Sequence, residues 1–149
     1  MLTLIAAVLI AQSPVAPADC AEAMTTPQIN ACAARDLAAE TERMETYLAA
    51  ARRKALADDQ GASDNGPASS QRAYLDNGQT AWVAYRDIVC NGVYNRWSGG
   101  TIRTLMALSC STRMTRERTQ VIWRDFLTYA DATPPILPEP VGPASPPAK

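Results

Sequence analysis

The sequence contains no histidine, and this absence excludes imidazole-based catalytic triads, histidine zinc sites and proton shuttles that work near neutral pH. A strong charge of one sign is also lacking, because 14 Lys and Arg against 15 Asp and Glu leave a formal net charge of -1. Such a chain offers little attraction for nucleic acid or anionic lipid, so we expect neither as a partner. No nucleophile beside a base, metal cage or phosphate loop is visible, which predicts a protein that is not an enzyme and has no cofactor or metal.

Paired carboxylates of the kind that a glycosidase needs are not apparent either. The nearest candidates are Asp58 with Asp59 and Glu40 with Glu42. Side chains one or two residues apart on a helix diverge, so these pairs do not converge on one substrate atom. We expect all four carboxylates to be solvated.

The first residues predict export. Residues 1–11 are apolar and uncharged, and small residues at 16–18 fit a cleavage site, so residues 1–18 are predicted to be a signal peptide cut after Ala18. The apolar run is too short for a transmembrane helix, which needs roughly 20 such residues. We therefore expect a periplasmic or secreted protein with no membrane span after cleavage.

Four cysteines follow the predicted cleavage site, an even number that favours two disulfides in an exported protein. Cys20 with Cys32 and Cys90 with Cys110 is the local pairing. The pairing of Cys32 with Cys90 and Cys20 with Cys110 stays open. None of the spacings is C-x-x-C, which favours structural bridges over redox or metal-binding thiols.

The periodicity of apolar residues predicts an all-α fold, an antiparallel bundle of three main helices stabilised by disulfides. The first helix is expected over residues 25–57, opened by a capping box between Thr25 and Gln28. Turn-forming residues over 58–70 predict a mobile loop. The second helix is expected to end near Val89.

The third predicted helix runs from near Ile102 to about Tyr129, and the helical domain as a whole is assigned to residues 19–131. The remainder, residues 132–149, carries 7 of the 11 prolines. Proline supports neither helices nor sheet ladders. We therefore expect a disordered tail there.

The segment from Asn91 to Arg103 interrupts the helical pattern with three glycines, yet it carries two large aromatic residues. Aromatic residues and arginine dominate interface energetics, and a bridge across this segment would order them. We predict a partner-binding loop here; an equally weighted alternative is that both aromatic rings fold back onto the bundle. The candidate partner-binding residues are Tyr94, Arg96, Trp97, Gly99, Gly100, Thr101 and Arg103.

The second helix carries a further group of notable residues before its cysteine. Trp82 and Tyr85 lie three residues apart, a spacing typical of core side chains. Arg86 and Asp87 are interpreted as ion-pairing residues rather than a catalytic pair. Arg118 is the predicted partner of Asp87, which would join the third helix to the second.

Taken in order, these residues resemble the LprI-type lysozyme inhibitor family. The resemblance covers about residues 19–127, and it rests on the C-x11-C spacing, on the motif Q-x-x-W-x-x-Y-R-D-x-x-C and on the elements that follow. Its matching positions are Cys20, Cys32, Gln79, Trp82, Tyr85, Arg86, Asp87, Cys90, Gly99, Gly100, Thr101, Cys110, Thr115 and Arg118.

The resemblance implies a small, exported helical protein of bacteria that inhibits lysozyme. On this interpretation the loop from Asn91 to Arg103 occludes a lysozyme or another cell-wall hydrolase, which would be the protein partner. The alternative is an envelope interaction or scaffold protein that binds a different protein partner, with the proline-rich tail as a tether or docking segment.

Overall fold

The computed structural model describes residues 20–61 and 70–141; the predicted signal peptide and residues 142–149 lie outside this part. A short 3-10 turn at Cys20–Glu22 precedes three helices, α1 (Thr26–Gly61), α2 (Gln71–Arg96) and α3 (Arg103–Phe126). The described residues contain no strand, and all three helices pack against one another. The predicted all-α bundle of three helices is therefore confirmed. None of the helices in this part is both long and apolar enough to cross a membrane.

The start of α1 is fixed by the predicted capping box. The Gln28 side-chain oxygen accepts hydrogen bonds from the backbone N–H groups of Met24 (3.2 Å) and Thr25 (3.0 Å). The Thr25 hydroxyl accepts in return from the Gln28 N–H at 3.4 Å. These contacts satisfy N–H groups that have no partner within the helix.

The core consists of two neighbouring clusters. The larger cluster joins all three helices around Leu48, Leu75 and Ile122, each at most 1% exposed. The smaller contains the disulfide Cys90–Cys110 and Met114. The half-buried Trp82 packs against both clusters and so connects them.

Both disulfides follow the local pairing and lie at one pole of the bundle. Cys20 is bonded to Cys32, with Cα atoms 5.7 Å apart, and Cys90 to Cys110, with Cα atoms 5.6 Å apart. The first bridge shares a recess with Leu105 near the start of α3. We refer to this end of the molecule as the disulfide pole.

Two predicted loops are partly helical. The predicted loop over 58–70 is wrong for residues 58–61, which extend α1 to Gly61; residues 62–69 lie outside the described part. Asp59 contributes to the start of α2, because its carboxylate accepts from the Ser70 hydroxyl at 2.5 Å and the Gln71 N–H at 2.7 Å. The hydrogen bond from Ser70 is the main cause that lowers the pKa of Asp59.

The second correction concerns α2, which continues seven residues beyond Val89 and ends at Arg96. The predicted loop from Asn91 to Arg103 therefore shrinks to residues 97–102. Gly92 faces solvent inside the helix, where glycine costs about 1 kcal/mol relative to alanine. Packing of Val93 against the smaller core cluster offsets this cost locally.

The expectation of a disordered tail is wrong for residues 132–141. Residues 128–141, which we name the C-terminal strap, fold back along α1 and α3. Strap carbonyls accept hydrogen bonds from helix side chains: Tyr47 Oη to Pro138 (2.8 Å), Trp123 Nε1 to Leu137 (2.9 Å) and Arg43 Nη1 to Val141 (3.0 Å). Proline removes N–H donors but leaves every carbonyl available, so a proline-rich segment can dock through acceptors alone.

Candidate functional site

The disulfide pole is capped by the turn of residues 97–102 between α2 and α3. Backbone hydrogen bonds close it tightly: the Trp97 N–H donates to the carbonyls of Val93 and Tyr94, both at 3.3 Å, and the Gly100 N–H donates to Trp97 at 2.9 Å. The disulfide between Cys90 and Cys110 ties the two flanking helices together below it. The turn is therefore held at both of its ends.

The two aromatic side chains of this region behave differently. Trp97 is 38% exposed, whereas Tyr94 is half-buried beneath the guanidinium of Arg103, which lies 5.0 Å from the ring centroid. Cation–π contacts of this kind hold both partners in place. Trp97 is thus accessible to a partner, while Tyr94 supports Arg103.

Gly99 and Gly100 do not owe their place to backbone conformation, because no described glycine has a positive φ. A Cβ at Gly99 would meet nothing within 4 Å, and one at Gly100 would meet the Trp97 carbonyl oxygen at 3.6 Å, an ordinary contact. Their effect is to place no side chain next to Trp97. Thr101 is exposed beside them.

The turn and its flanks are locally cationic. Arg96 and Arg103 are the only charged residues between positions 91 and 112. Both are exposed, and neither belongs to an ion pair within residues 20–61 and 70–141. The disulfide pole therefore presents two unneutralised guanidinium groups beside an exposed indole.

Gln79, Trp82 and Arg86 of α2 belong to a different, interior network. Gln79, 6% exposed, accepts from Arg118 Nε at 3.0 Å and donates through Nε2 to the sulfur of Met44 at 3.6 Å. Arg86 and Arg118 both approach the Trp82 ring, at 5.2 and 6.0 Å from its centroid. Burial lowers the pKa of Arg118 from its ordinary value. This network joins α1, α2 and α3 and has the character of a structural contact.

The predicted ion pair between Asp87 and Arg118 is wrong. Asp87 pairs with its neighbour Arg86 at 2.8 Å, and Arg118 turns to Gln79 instead. Gln79 and Arg86 are seven residues apart and share the inward face of α2. Asp87 follows Arg86 by one residue, so its side chain leaves the helix about 100° away from that face. Tyr85 is likewise misassigned to the core, because it is 60% exposed on the outer face of α2.

Sequence reasoning also missed an ion pair between α1 and α3 in which the carboxylate is buried and the guanidinium is half-buried. Glu40, expected in solvent, is 6% exposed, and its Oε1 lies 2.9 Å from Arg116 Nε without hydrogen-bond alignment. Arg43 lies 3.6 Å from the other carboxylate oxygen. A usable signal was present, because Glu40 lies four residues before buried Met44 and on the same helix face.

These observations define a class: a disulfide-stabilised three-helix protein with a rigid, aromatic and cationic turn at one pole. Within the described residues, no group of three or more His, Cys, Asp or Glu could hold a metal ion. The chain belongs to the LprI family, whose model is described as "Lysozyme inhibitor LprI" and matches residues 18–121. Searches of curated proteins and of solved structures found no significant match.

The family description supports a lysozyme inhibitor-like function, a non-enzymatic role and a protein partner such as lysozyme. Two disulfides are consistent with a location outside the cytoplasm, where oxidising conditions maintain them. The family match ends at residue 121, before the C-terminal strap.

Proposed function

We propose that this protein is an exported, non-enzymatic inhibitor whose disulfide pole enters and blocks the cleft of a lysozyme or another cell-wall hydrolase. The observation that carries the proposal is the exposed Trp97 on a turn clamped by the disulfide Cys90–Cys110. The proposed contact residues are Tyr94, Arg96, Trp97, Gly99, Gly100, Thr101 and Arg103.

The rigidity of the turn supports this proposal. Ordering a flexible loop on binding costs free energy, and a loop that is already fixed avoids much of that cost. The backbone hydrogen bonds at Trp97 and Gly100, together with the disulfide beneath them, supply this order before any partner arrives. Tryptophan and arginine are also the residue types most often found at interface hot spots.

Local charge gives the turn a chemically suitable target. Glycoside hydrolases of the wall use a pair of carboxyl groups at the bottom of a cleft. Arg96 and Arg103 carry positive charge that no ion pair within the described residues neutralises. Charge-assisted hydrogen bonds from guanidinium to carboxylate are strong and directional. A net charge of -1 on the whole chain is compatible with this contact, because the local field matters at short range.

The predicted signal peptide at residues 1–18 supports the same function, because cleavage and export would deliver the protein to the periplasm or medium, where wall hydrolases act. Residues 19–131 would then supply the inhibitory bundle. Residues 132–141 close that bundle from outside rather than reaching toward a partner.

The test compares Trp97→Ala with the wild type in a lysozyme assay on a cell-wall suspension, using the full chain purified after export. Removal of a hot-spot residue costs at least about 2 kcal/mol, so the half-inhibitory concentration should rise roughly 30-fold. Tyr129→Ala is the matched control, because Tyr129 is 42% exposed and follows the opposite end of α3. Equal potency of Trp97→Ala and wild type, or no inhibition by excess wild type, would refute the proposal.

A further inference from the structure

The outward face of α2 carries a continuous uncharged stripe. Its exposed positions alternate in steps of four and three residues, which places them in one line along the helix. Three of the side chains are large, with Tyr74 66%, Tyr85 60% and Ile88 73% exposed. The other three are small. We call this set the α2 stripe: Tyr74, Gly78, Ala81, Tyr85, Ile88 and Gly92.

The residues that flank the stripe on one side are uncharged as well, namely Asn77, Ala84 and Asn91, and all three are exposed. Charged residues make up 19% of the chain, so an exposed helix face without charge is a departure from its usual surface. Large side chains exposed in one line on a helix face without charge are typical of an interaction surface.

The two glycines of the stripe have no explanation within one protomer. A Cβ at Gly78 or Gly92 would meet nothing within 4 Å, so neither residue makes room for a neighbour in the bundle. Neither has a positive φ. Glycine is the poorest helix former after proline, so two of them inside α2 weaken the helix without any internal benefit.

The order of large and small residues makes the stripe complementary to itself. Each large residue and one small residue lie equally far from Val83: Tyr74 with Gly92, Ile88 with Gly78, and Tyr85 with Ala81. When a second copy of α2 runs antiparallel about a two-fold axis at Val83, every large side chain faces a small one. Knobs seated in holes of this kind are the normal packing of paired helices.

From this geometry we infer that the α2 stripe is a two-fold dimer interface, and that its partner is a second copy of this chain. On the uncharged flank, Asn77 comes within two residue positions, about 3 Å along the helix, of the level of Asn91 of the second copy, where amide groups can donate to and accept from each other. The stripe carries no charged side chain, so two copies bring no like charges together along it. At 1.5 Å per residue the stripe spans about 27 Å along the helix.

The dimer places the two disulfide poles at opposite ends, because the helices run antiparallel. Trp97 lies outside the stripe, so the turn stays accessible in both copies. Dimerisation and enzyme inhibition are therefore separable properties of this molecule.

The first test measures association by sedimentation equilibrium for the full chain purified after export. The wild type should show a reversible monomer–dimer equilibrium. Gly78→Leu should raise the dimer dissociation constant by about tenfold or more, since it fills the hole for Ile88. The same substitution should raise the melting temperature of the dilute monomer, because leucine favours the helix, position 78 is exposed and a Cβ there meets nothing within 4 Å. Reduced association thus cannot be mistaken for misfolding.

Gly61→Leu is the matched control, because a Cβ at Gly61 also meets nothing within 4 Å and the residue ends α1, outside the stripe. It should leave the dissociation constant unchanged. A wild type that stays monomeric at several hundred micromolar, or a Gly78→Leu variant that dimerises as well as the wild type, would overturn the inference.

The second test addresses the antiparallel register with a short bis-maleimide cross-linker. Ala84→Cys lies next to the axis and should cross-link to its own copy. Asn77→Cys lies on the same side of the stripe, but two such residues would be about 18 Å apart along the helix direction and should not cross-link. Equal cross-linking of both variants would indicate parallel helices and would overturn the proposed arrangement.

Discussion

Gln79 illustrates how one buried amide can connect three helices. Its oxygen accepts from Arg118 of α3, and its nitrogen donates to the sulfur of Met44 in α1. Arg118 is half-buried and needs an acceptor, because an unpaired guanidinium away from water carries a large desolvation penalty. The amide therefore contributes more to the bundle than its small size suggests.

Replacement of Gln79 by leucine should destabilise the protein by about 1–3 kcal/mol, because Arg118 loses its acceptor while the volume of the site is kept. Urea denaturation monitored by circular dichroism measures the change. Thr80→Ala is the control, since the exposed Thr80 hydroxyl donates only to a carbonyl of its own helix. Gln79→Leu with wild-type stability would show that Arg118 is satisfied by water.

The sequence predicted that Trp82 and Arg86 matter, but it paired Arg118 with the wrong residue. Seven-residue spacing places Gln79 and Arg86 on one face, and this relation was available from the sequence alone. What the sequence could not show is the rotation of α3, which decides whether Arg118 meets an amide or a carboxylate. Opposite charge suggested Asp87 as the partner of Arg118, whereas the buried amide of Gln79 is the partner in the structure.

Among the structural elements, the helices were predictable and their ends were not. Apolar periodicity identified α1, α2 and α3, because that pattern reflects the buried face directly. Gly92 and the turn formers at 58–61 suggested early helix ends, but tertiary contacts of Val93 and Asp59 extended both helices. Local propensity is a weak signal wherever packing or capping opposes it.

The C-terminal strap is the element for which the prediction from composition differs most from the structure. Seven prolines in the last seventeen residues predict the lack of regular structure, which is correct for the described strap, but they do not predict the lack of order. The donors that bind the strap are side chains of α1 and α3, such as Tyr47 and Trp123. Their position near residues 137 and 138 depends on the folded bundle.

The strap should contribute measurably to stability through Leu137, which packs against the larger core cluster. Leu137→Ala should cost about 1–2 kcal/mol, less than a fully buried leucine because the side chain is only half-buried. Val141→Ala, at a position 72% exposed, should change stability by less than about 0.5 kcal/mol. The midpoints of urea unfolding compare the stabilities of the two variants. Equal midpoints would mean that the strap does not cover the core in solution.

At the scale of the whole molecule, the two disulfides have different roles. The bridges close segments of 12 and 20 residues, for which the chain-entropy model gives a similar stabilisation of about 3 kcal/mol each. Only the bridge between Cys90 and Cys110 lies in the core below the turn. Stability and inhibition should therefore respond differently to their removal.

Replacing Cys90 and Cys110 together by alanine should lower stability by about 3 kcal/mol and weaken lysozyme inhibition, because the turn loses its clamp. Replacing Cys20 and Cys32 together should lower stability to a similar extent and leave the potency of the folded fraction unchanged. Thermal melts and inhibition assays on both variants provide the comparison. Equal losses of potency would show that the clamp does not position the turn.

The docking of the C-terminal strap also constrains the order in which the molecule assembles. Arg43 and Tyr47 bind backbone atoms 98 and 91 residues further along the chain. Contacts between such distant positions form late, and here the contact of Arg43 cannot form until translation has passed residue 141. A ribosome-bound or partly translocated chain that has not yet presented residues 138–141 therefore lacks the contacts of Arg43 and Tyr47 with the strap.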